Sequence, residues 1–343
     1  MQGFLVEGKE ISKDYSYDWV QGKAELVAIE KGISVLHFSQ ELLKRDLEME
    51  FRLLRRLTET QYHNDNLFDF HPDVQRLNRY NNIIPFKHSI VKLKSEGDEE
   101  ENLKESYINA NFINVIEQFK QHMATQGPLL STFGHFWKMI VQENMSMIVM
   151  LCNLKENQRA QCEQYWPKNV GETLICGNIQ VNLQSQDDLG NNITKRILKI
   201  NQEGEERNVI QIQWCGWPDQ GVPSPSDFDV MKELLNIINE KLLADQKVVF
   251  HCSAGVGRTG TLIALSNLMI LLRAYKQHIG DDHSSNQSPL FQELEENPEL
   301  YRISIFGMVR RLREQRWGMV HTSEQYSYIY KFIDEAIRYL FNN

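Results

Sequence analysis

Apolar residues along this chain fall into two rhythms. In FSQELLKRDLEMEFRLLRRLT, residues 38–58, they recur every three or four positions, which predicts a helix with Ser39 as its N-cap and Glu41 close behind. The same spacing predicts helices at 132–142, 226–244, 304–316 and 323–340, and a more uniformly apolar one at 259–276. Short β-rich runs predict strands at 145–151 and 247–250, and two more within 196–214 joined by a Gly/Glu turn. Strands that alternate with helices predict an α/β sheet. Residues 94–106 read as an acidic loop and 277–300 as a polar, solvated insertion. Residues 1–40 form an N-terminal extension whose apolar patches, GFLV, ELVAI and ISVLHF, are strands or a fringe packed on the main body. No internal repeat is present.

The chain has 343 residues, 41% hydrophobic and 24% charged, as expected of an ordinary globular protein. Its formal net charge of -9 argues against nucleic acid as the main partner. The five cysteines, Cys152, Cys162, Cys176, Cys215 and Cys252, are odd in number and show no C-x-x-C spacing, so neither a disulfide framework nor a zinc site is expected. Charged residues at Glu7, Lys9, Glu10 and Lys13 argue against a secretory signal, and the apolar runs are too short to span a bilayer. A cytoplasmic protein is expected.

The chemistry concentrates in VVFHCSAGVGRTG, residues 248–260, which reads as strand, glycine-rich turn, helix. Such a turn offers N–H groups and a helix N-terminus to an anion. The run 255–260 also matches G-x-G-x-x-G, but the acids about twenty residues on, Asp281 and Asp282, fall in the polar insertion rather than at a strand end. A Walker loop would need Gly-Lys-Ser/Thr, and the chain has Gly-Arg-Thr. A third reading makes Cys252 a nucleophile. Thiols at helix N-termini beside arginines are held as thiolates, and Arg258 can grip two phosphoryl oxygens as a planar fork. The competing reading is an inert cysteine buried after a core strand. A departing alkoxide or phenoxide needs a proton donor on another element, and Asp219 in GWPDQGVP, residues 216–223, is the candidate.

His-Cys-x5-Arg-Thr at 251–259 and Trp217-Pro218-Asp219 resemble the signature loop and acid loop of the phosphotyrosine-specific, cysteine-dependent protein tyrosine phosphatase family, non-receptor type. LNRYNNIIPFKHSIVKL (77–93), SYINANFI (106–113), ATQGPLLSTFGHFWKMI (124–140), CEQYWP (162–167) and LREQRWGMVHTSEQY (312–326) resemble further motifs of that family in the same order. The resemblance covers about residues 40–340. It implies one large catalytic domain, residues 41–343, with a twisted mixed central β-sheet flanked by helices.

It also implies roles. Cys252 forms a phosphocysteine intermediate. Arg258 and the N–H groups of Ser253, Ala254, Gly255, Val256 and Gly257 hold the phosphate, and Val256 lines the pocket floor. Asp219 is general acid and then general base. Thr259 bonds the sulfur and His251 fixes the loop. Glu156 braces Arg258, Trp217 anchors the acid loop, Tyr80 flanks the phenyl ring and Asn82 meets the substrate backbone. Gln325 and His321 attend the water of the second step, with His321 where the family has glutamine. Leu77, Asn81, Asn82 and Gln161 also depart from the family pattern. Arginine and N–H dipoles carry the charge, so neither metal nor cofactor is called for. Phosphotyrosine-containing proteins are the implied substrates. The alternatives are a catalytically impaired phosphotyrosine binder and a dual-specificity phosphatase.

Overall fold

The computed structural model describes residues 26–63, 72–94, 103–114, 122–218, 221–281 and 301–341. Nine strands form one mixed sheet: β2 (Ile90–Lys92), β3 (Tyr107–Ile113), β4 (His122–Thr125), β5 (Met145–Met150), β8 (Thr173–Cys176), β9 (Ile179–Asp188), β10 (Ile193–Gln202), β11 (Glu205–Trp214) and β12 (Lys247–His251). Their order is β2-β3-β4-β12-β5-β11-β10-β9-β8. The centre, β4-β12-β5-β11, is parallel, and every other pairing is antiparallel. Two short ladders stand apart: β1 (Ile33–Ser34) with β13 (Arg302–Ile303), and β6 (Lys155–Glu156) with β7 (Arg159–Ala160).

The central strands are buried on both faces, as parallel strands between helical layers are. On β12, Val248 and Phe250 enter one apolar core while Val249 enters the other. Among the described residues, the helices of ten or more residues are α1 (Leu47–His63), α2 (Phe133–Gln142), α3 (Phe228–Leu243), α4 (Gly257–Asp281), α5 (Ile305–Gln315) and α6 (Ser323–Phe341). Helices α3 to α6 contribute to the first core, and α2 packs Phe136, Trp137 and Ile140 into the second. Helix α4 runs through the first core, and its residues 259–270 are all buried, which explains its uniformly apolar sequence.

Several expectations are corrected. The helix expected over 38–58 is two helices, Phe38–Leu42 and α1. The break is chemical. Asp46 accepts a hydrogen bond from the Met49 N–H at 2.9 Å and starts the second helix, while Leu43 is 88% exposed. Ser39 is no cap. Its hydroxyl donates to Asp334 on α6. The patch ELVAI is largely helical, and ISVLHF supplies β1; Leu26, Ile33, Val35 and Phe38 join the first core. GFLV lies outside the described residues. Helix α4 continues to Asp281, so 277–281 are helical, and 282–300 lie outside the described residues. Of the acidic loop, 95–102 lie outside them too, and Leu103–Ser106 form one helical turn leading into β3.

The two strands expected within 196–214 are β10 and β11, joined at Glu203 and Gly204 with φ of 55° and 92°, the mirror-image turn that matches strand twist. The hairpin β8–β9 escaped the sequence reading. Its signal was Gly177 between alternating apolar runs, at φ 62°.

Candidate active site

Strand β12 ends at His251, and residues 252–256 turn into α4 at the edge of the parallel core. Cys252 is 5% exposed. The carbonyls of this loop are engaged from outside, one after another. Cys252 O accepts from His251 Nδ1 at 3.1 Å, and Ser253 O from the Gly127 N–H at 2.8 Å. Ala254 O and Gly255 O accept from Arg316 Nη2 and Nε at 3.0 and 2.8 Å. Val256 O accepts from the Gly260 and Val320 N–H groups at 2.9 and 3.1 Å. Meanwhile the N–H groups of Ser253, Ala254, Gly255, Val256 and Gly257 donate to none of the described residues. With carbonyls turned out, these amides converge inward, an arrangement that binds anions. Gly255 permits the turn. Its φ is +70°, and an added Cβ would lie 2.1 Å from Thr125 O.

Arg258, 4% exposed, donates through Nη1 to Glu156 Oε1 at 2.8 Å and to Leu151 O at 2.8 Å, and through Nη2 to Glu156 Oε2 at 2.5 Å. Glu156 is aimed by the β6–β7 turn, where Asn157 and Gln158 adopt φ of 47° and 64°, and by the Asn153 N–H at 2.9 Å. Burial pushes the Glu156 carboxyl up, but hydrogen bonds from Arg258 and Asn153 outweigh it and hold it low. Burial likewise opposes the Arg258 charge, and Glu156 together with the neighbouring Cys252 more than restores it.

His251 is fully buried, which pushes its pKa down to about 4. Its tautomer follows from its neighbours. Gln211 Nε2 donates to the Tyr165 hydroxyl at 2.7 Å, so that hydroxyl donates onward to His251 Nε2 at 2.7 Å, leaving Nδ1–H to hold Cys252 O.

The remaining expected residues are placed as follows. The Tyr80 hydroxyl meets Ser253 Oγ at 2.9 Å, with its ring 37% exposed at the rim. The neighbouring Arg79 is pinned to Gly127 O and Pro128 O at 2.9 Å each. Asn82 is exposed and Val256 buried. Gln325 is buried with its amide against Gly257, and its Oε1 accepts from the His321 N–H at 3.0 Å. The His321 side chain is exposed at the edge, its pKa lowered by partial burial and then by Arg313. The Thr259 hydroxyl is buried without a hydrogen-bond partner, so the expected bond to the sulfur is not made in this structure. Trp217 is buried, donates to Gly221 O at 3.0 Å and lies edge-on to Trp214. Asp219 lies outside the described residues.

Arg316 lies in the 312–326 motif, where the sequence alone gives it no role. It is 1% exposed, bonds Asn109 and Asn111 as well as the loop, and is pushed down to about 10 by burial. Tyr165 and Gln211 were likewise missed. All five cysteines are free thiols. No helix among the described residues is long and apolar enough to cross a membrane.

A family model described as protein-tyrosine phosphatase matches residues 74–335. The chain is 37% identical over 276 residues to human receptor-type tyrosine-protein phosphatase zeta, an alignment covering 78% of this chain and 11% of that one. It is 35% identical over 265 residues to human tyrosine-protein phosphatase non-receptor type 4, covering 76% of this chain and 24% of that one. It thus spans about a tenth to a quarter of these two relatives' length. The catalytic domain of human protein tyrosine phosphatase non-receptor type 18 superposes with a TM-score of 0.71 at 30% identity, over 88% of this chain and 99% of that chain. A structure of non-receptor type 18 in complex with HER2 phosphopeptides superposes with a TM-score of 0.70 at 30% identity, over 84% and 92%.

Proposed function

The chain belongs to the protein-tyrosine phosphatase family, and from that premise we propose that it hydrolyses phosphotyrosine in proteins through a phosphocysteine intermediate on Cys252. The observation that carries this reading is the ring of five unengaged amides around a cysteine whose loop carbonyls are all held from behind.

In the first step Cys252 Sγ attacks phosphorus in line, forming the S–P bond as the P–O bond to the tyrosyl oxygen breaks. Asp219 gives its proton to that oxygen. The amides and Arg258 hold the three equatorial oxygens, where charge is spread in the transition state. In the second step a water attacks phosphorus, Asp219 takes its proton, and the S–P bond breaks to release inorganic phosphate and the thiolate. The unpartnered Thr259 hydroxyl is free to donate to that thiolate. Gln325 is oriented beside Gly257 by the His321 N–H, which supports its role in placing the water. Tyr80 at the rim, bonded to Ser253, supports a slot deep enough for phosphotyrosine and too deep for phosphoserine. Asn82, exposed nearby, is the proposed contact to the peptide backbone. The five free thiols fit a reducing, cytoplasmic setting.

The test is phosphate release from a phosphotyrosine peptide by the wild type and by Cys252→Ser. Turnover abolished by the substitution is expected. A folded, reduced wild type that binds the peptide without turning it over would replace the enzyme by a phosphotyrosine-binding domain.

A further inference from the structure

A cavity of about 450 Å³ is lined by Asn153 to Lys155, which lead into the β6–β7 turn, together with residues that follow it. Its wall carries three cations, Lys155, Lys168 and Arg196, and no carboxylate. Arg196 is the unusual member. It is 7% exposed, its guanidinium lies 4.5 Å over the Trp166 ring, and its hydrogen bonds go to the neutral amide oxygens of Gln186, Gln211 and Gln213 at 2.7 to 3.0 Å. A buried guanidinium whose bonds all go to neutral oxygens, with its Nη2 donors left over, favours an anion beside it. The negative charge that Lys168 does feel, on Glu172, lies outside the cavity wall.

Two hydrogen-bonded routes lead from this wall to the active site. Asn153 lines the cavity and holds Glu156, which holds Arg258. Arg196 holds Gln211, which bonds Tyr165, which bonds His251. Asn153 also reaches Cys215 O at 3.5 Å, two residues before Trp217.

We propose that this cavity is a second anion site, taking a free inorganic oxyanion of the phosphate or sulfate kind, and that its occupant steadies the Asn153–Glu156 segment that braces Arg258. Lys155 and Lys168 supply mobile charge at the exposed positions, and Arg196 supplies a fixed positive charge with its remaining Nη2 donors.

The test is equilibrium dialysis with radiolabelled sulfate at ionic strength held constant with chloride, beside steady-state kinetics at the same sulfate concentrations. The wild type is expected to bind two sulfates per chain saturably, one in each site. Lys155→Gln/Lys168→Gln is expected to lose one and keep the one in the Cys252 loop. Sulfate should raise KM in both proteins, and should raise kcat in the wild type alone. A single wild-type sulfate that the double variant retains, two sulfates in the double variant, or binding that never saturates would overturn the site, whereas a single wild-type sulfate that the double variant loses would leave the site standing and count against the Cys252 loop. Two sulfates with an unchanged wild-type kcat would overturn the relay to Arg258. Should the double variant not fold, Lys168→Gln alone, at an exposed position off the ladders, is expected to weaken the second site about tenfold. Dialysis needs no turnover, so the site stands or falls apart from the phosphatase reading.

Discussion

The Tyr165 hydroxyl and His251 Nε2 lie 2.7 Å apart across 86 residues of sequence, and that bond keeps the proton on Nδ1, which faces the Cys252 carbonyl. Tyr165→Phe leaves Gln211 Nε2 and His251 Nε2 buried without partners. The expected cost is about 1–3 kcal/mol of stability, read by denaturant unfolding, with a fall in kcat and little change in KM. Unchanged stability and kcat would mean the tautomer is fixed by other groups.

His251 also sets a pH dependence. Its ordinary value of 6.5 falls to about 4 in the folded protein through burial, and buried His122 falls to about 4 for the same reason. Between pH 6.5 and 4 the unfolded chain binds these protons and the folded protein does not. Their neutral burial therefore carries no penalty above 6.5, and stability drops as pH falls across that window. Unfolding free energies that stay flat from pH 6.5 to 4 would contradict it.

Glu156→Gln keeps the shape of the Arg258 brace and removes its charge. We expect kcat/KM to fall about tenfold or more, and stability at neutral pH by about 1–3 kcal/mol. The Glu156 carboxyl is held below its ordinary range, so the pair's contribution is complete above that range and is lost as pH falls through the depressed value. The stability gap between wild type and variant should therefore narrow on acidification. A gap independent of pH would assign the loss to packing.

Two glycines separate conformation from contact. Gly204 has φ +92° in open space, whereas Gly255 has φ +70° and would drive a Cβ to 2.1 Å from Thr125 O. Gly204→Ala should cost about 1 kcal/mol of stability with kcat/KM intact. Gly255→Ala should lower kcat/KM by about a hundredfold, since a loop displaced by an ångström no longer aligns sulfur with phosphorus. Equal effects on kcat/KM would refute the close-approach argument.

His321→Gln addresses the second step. The His321 N–H that holds Gln325 Oε1 survives the substitution, so only the side chain's influence on the attacking water is removed. We expect kcat to rise roughly twofold, and the wild type's rapid-quench burst of leaving group to shrink. A wild-type trace without a burst would show that phosphocysteine hydrolysis does not limit turnover.

What could be read from the sequence was what lies close together along it. Cys252, the glycines, Arg258 and the opening of α4 occupy one contiguous stretch, so the loop and the chemistry proposed for it could both be read there. Glu156 is legible only through the family resemblance, because nothing local ties it to an arginine 102 residues away. Arg316 and Tyr165 stayed without roles for the same reason. Their work is to hold the loop from behind at separations of 61 and 86 residues, and a buried polar residue in a helix-end or aromatic motif looks the same whatever it supports. The helix break at Asp46 was hidden by the unbroken apolar rhythm around it. Only the capping bond shows that the chain restarts.

The outward hold on the loop's carbonyls has one more consequence. Gly127, His251 and the segment carrying Arg316 and Val320 are three separate parts of the chain, and each pulls loop carbonyls away from the cradle. No single peptide unit of the loop can flip without giving up a bond to the scaffold. The dipoles are thus aligned before any phosphate arrives, and the arriving anion meets a field already in place rather than one it must organise. In the proposed reaction, the polar reorganisation that water would perform around a developing phosphoryl charge is completed when the protein folds.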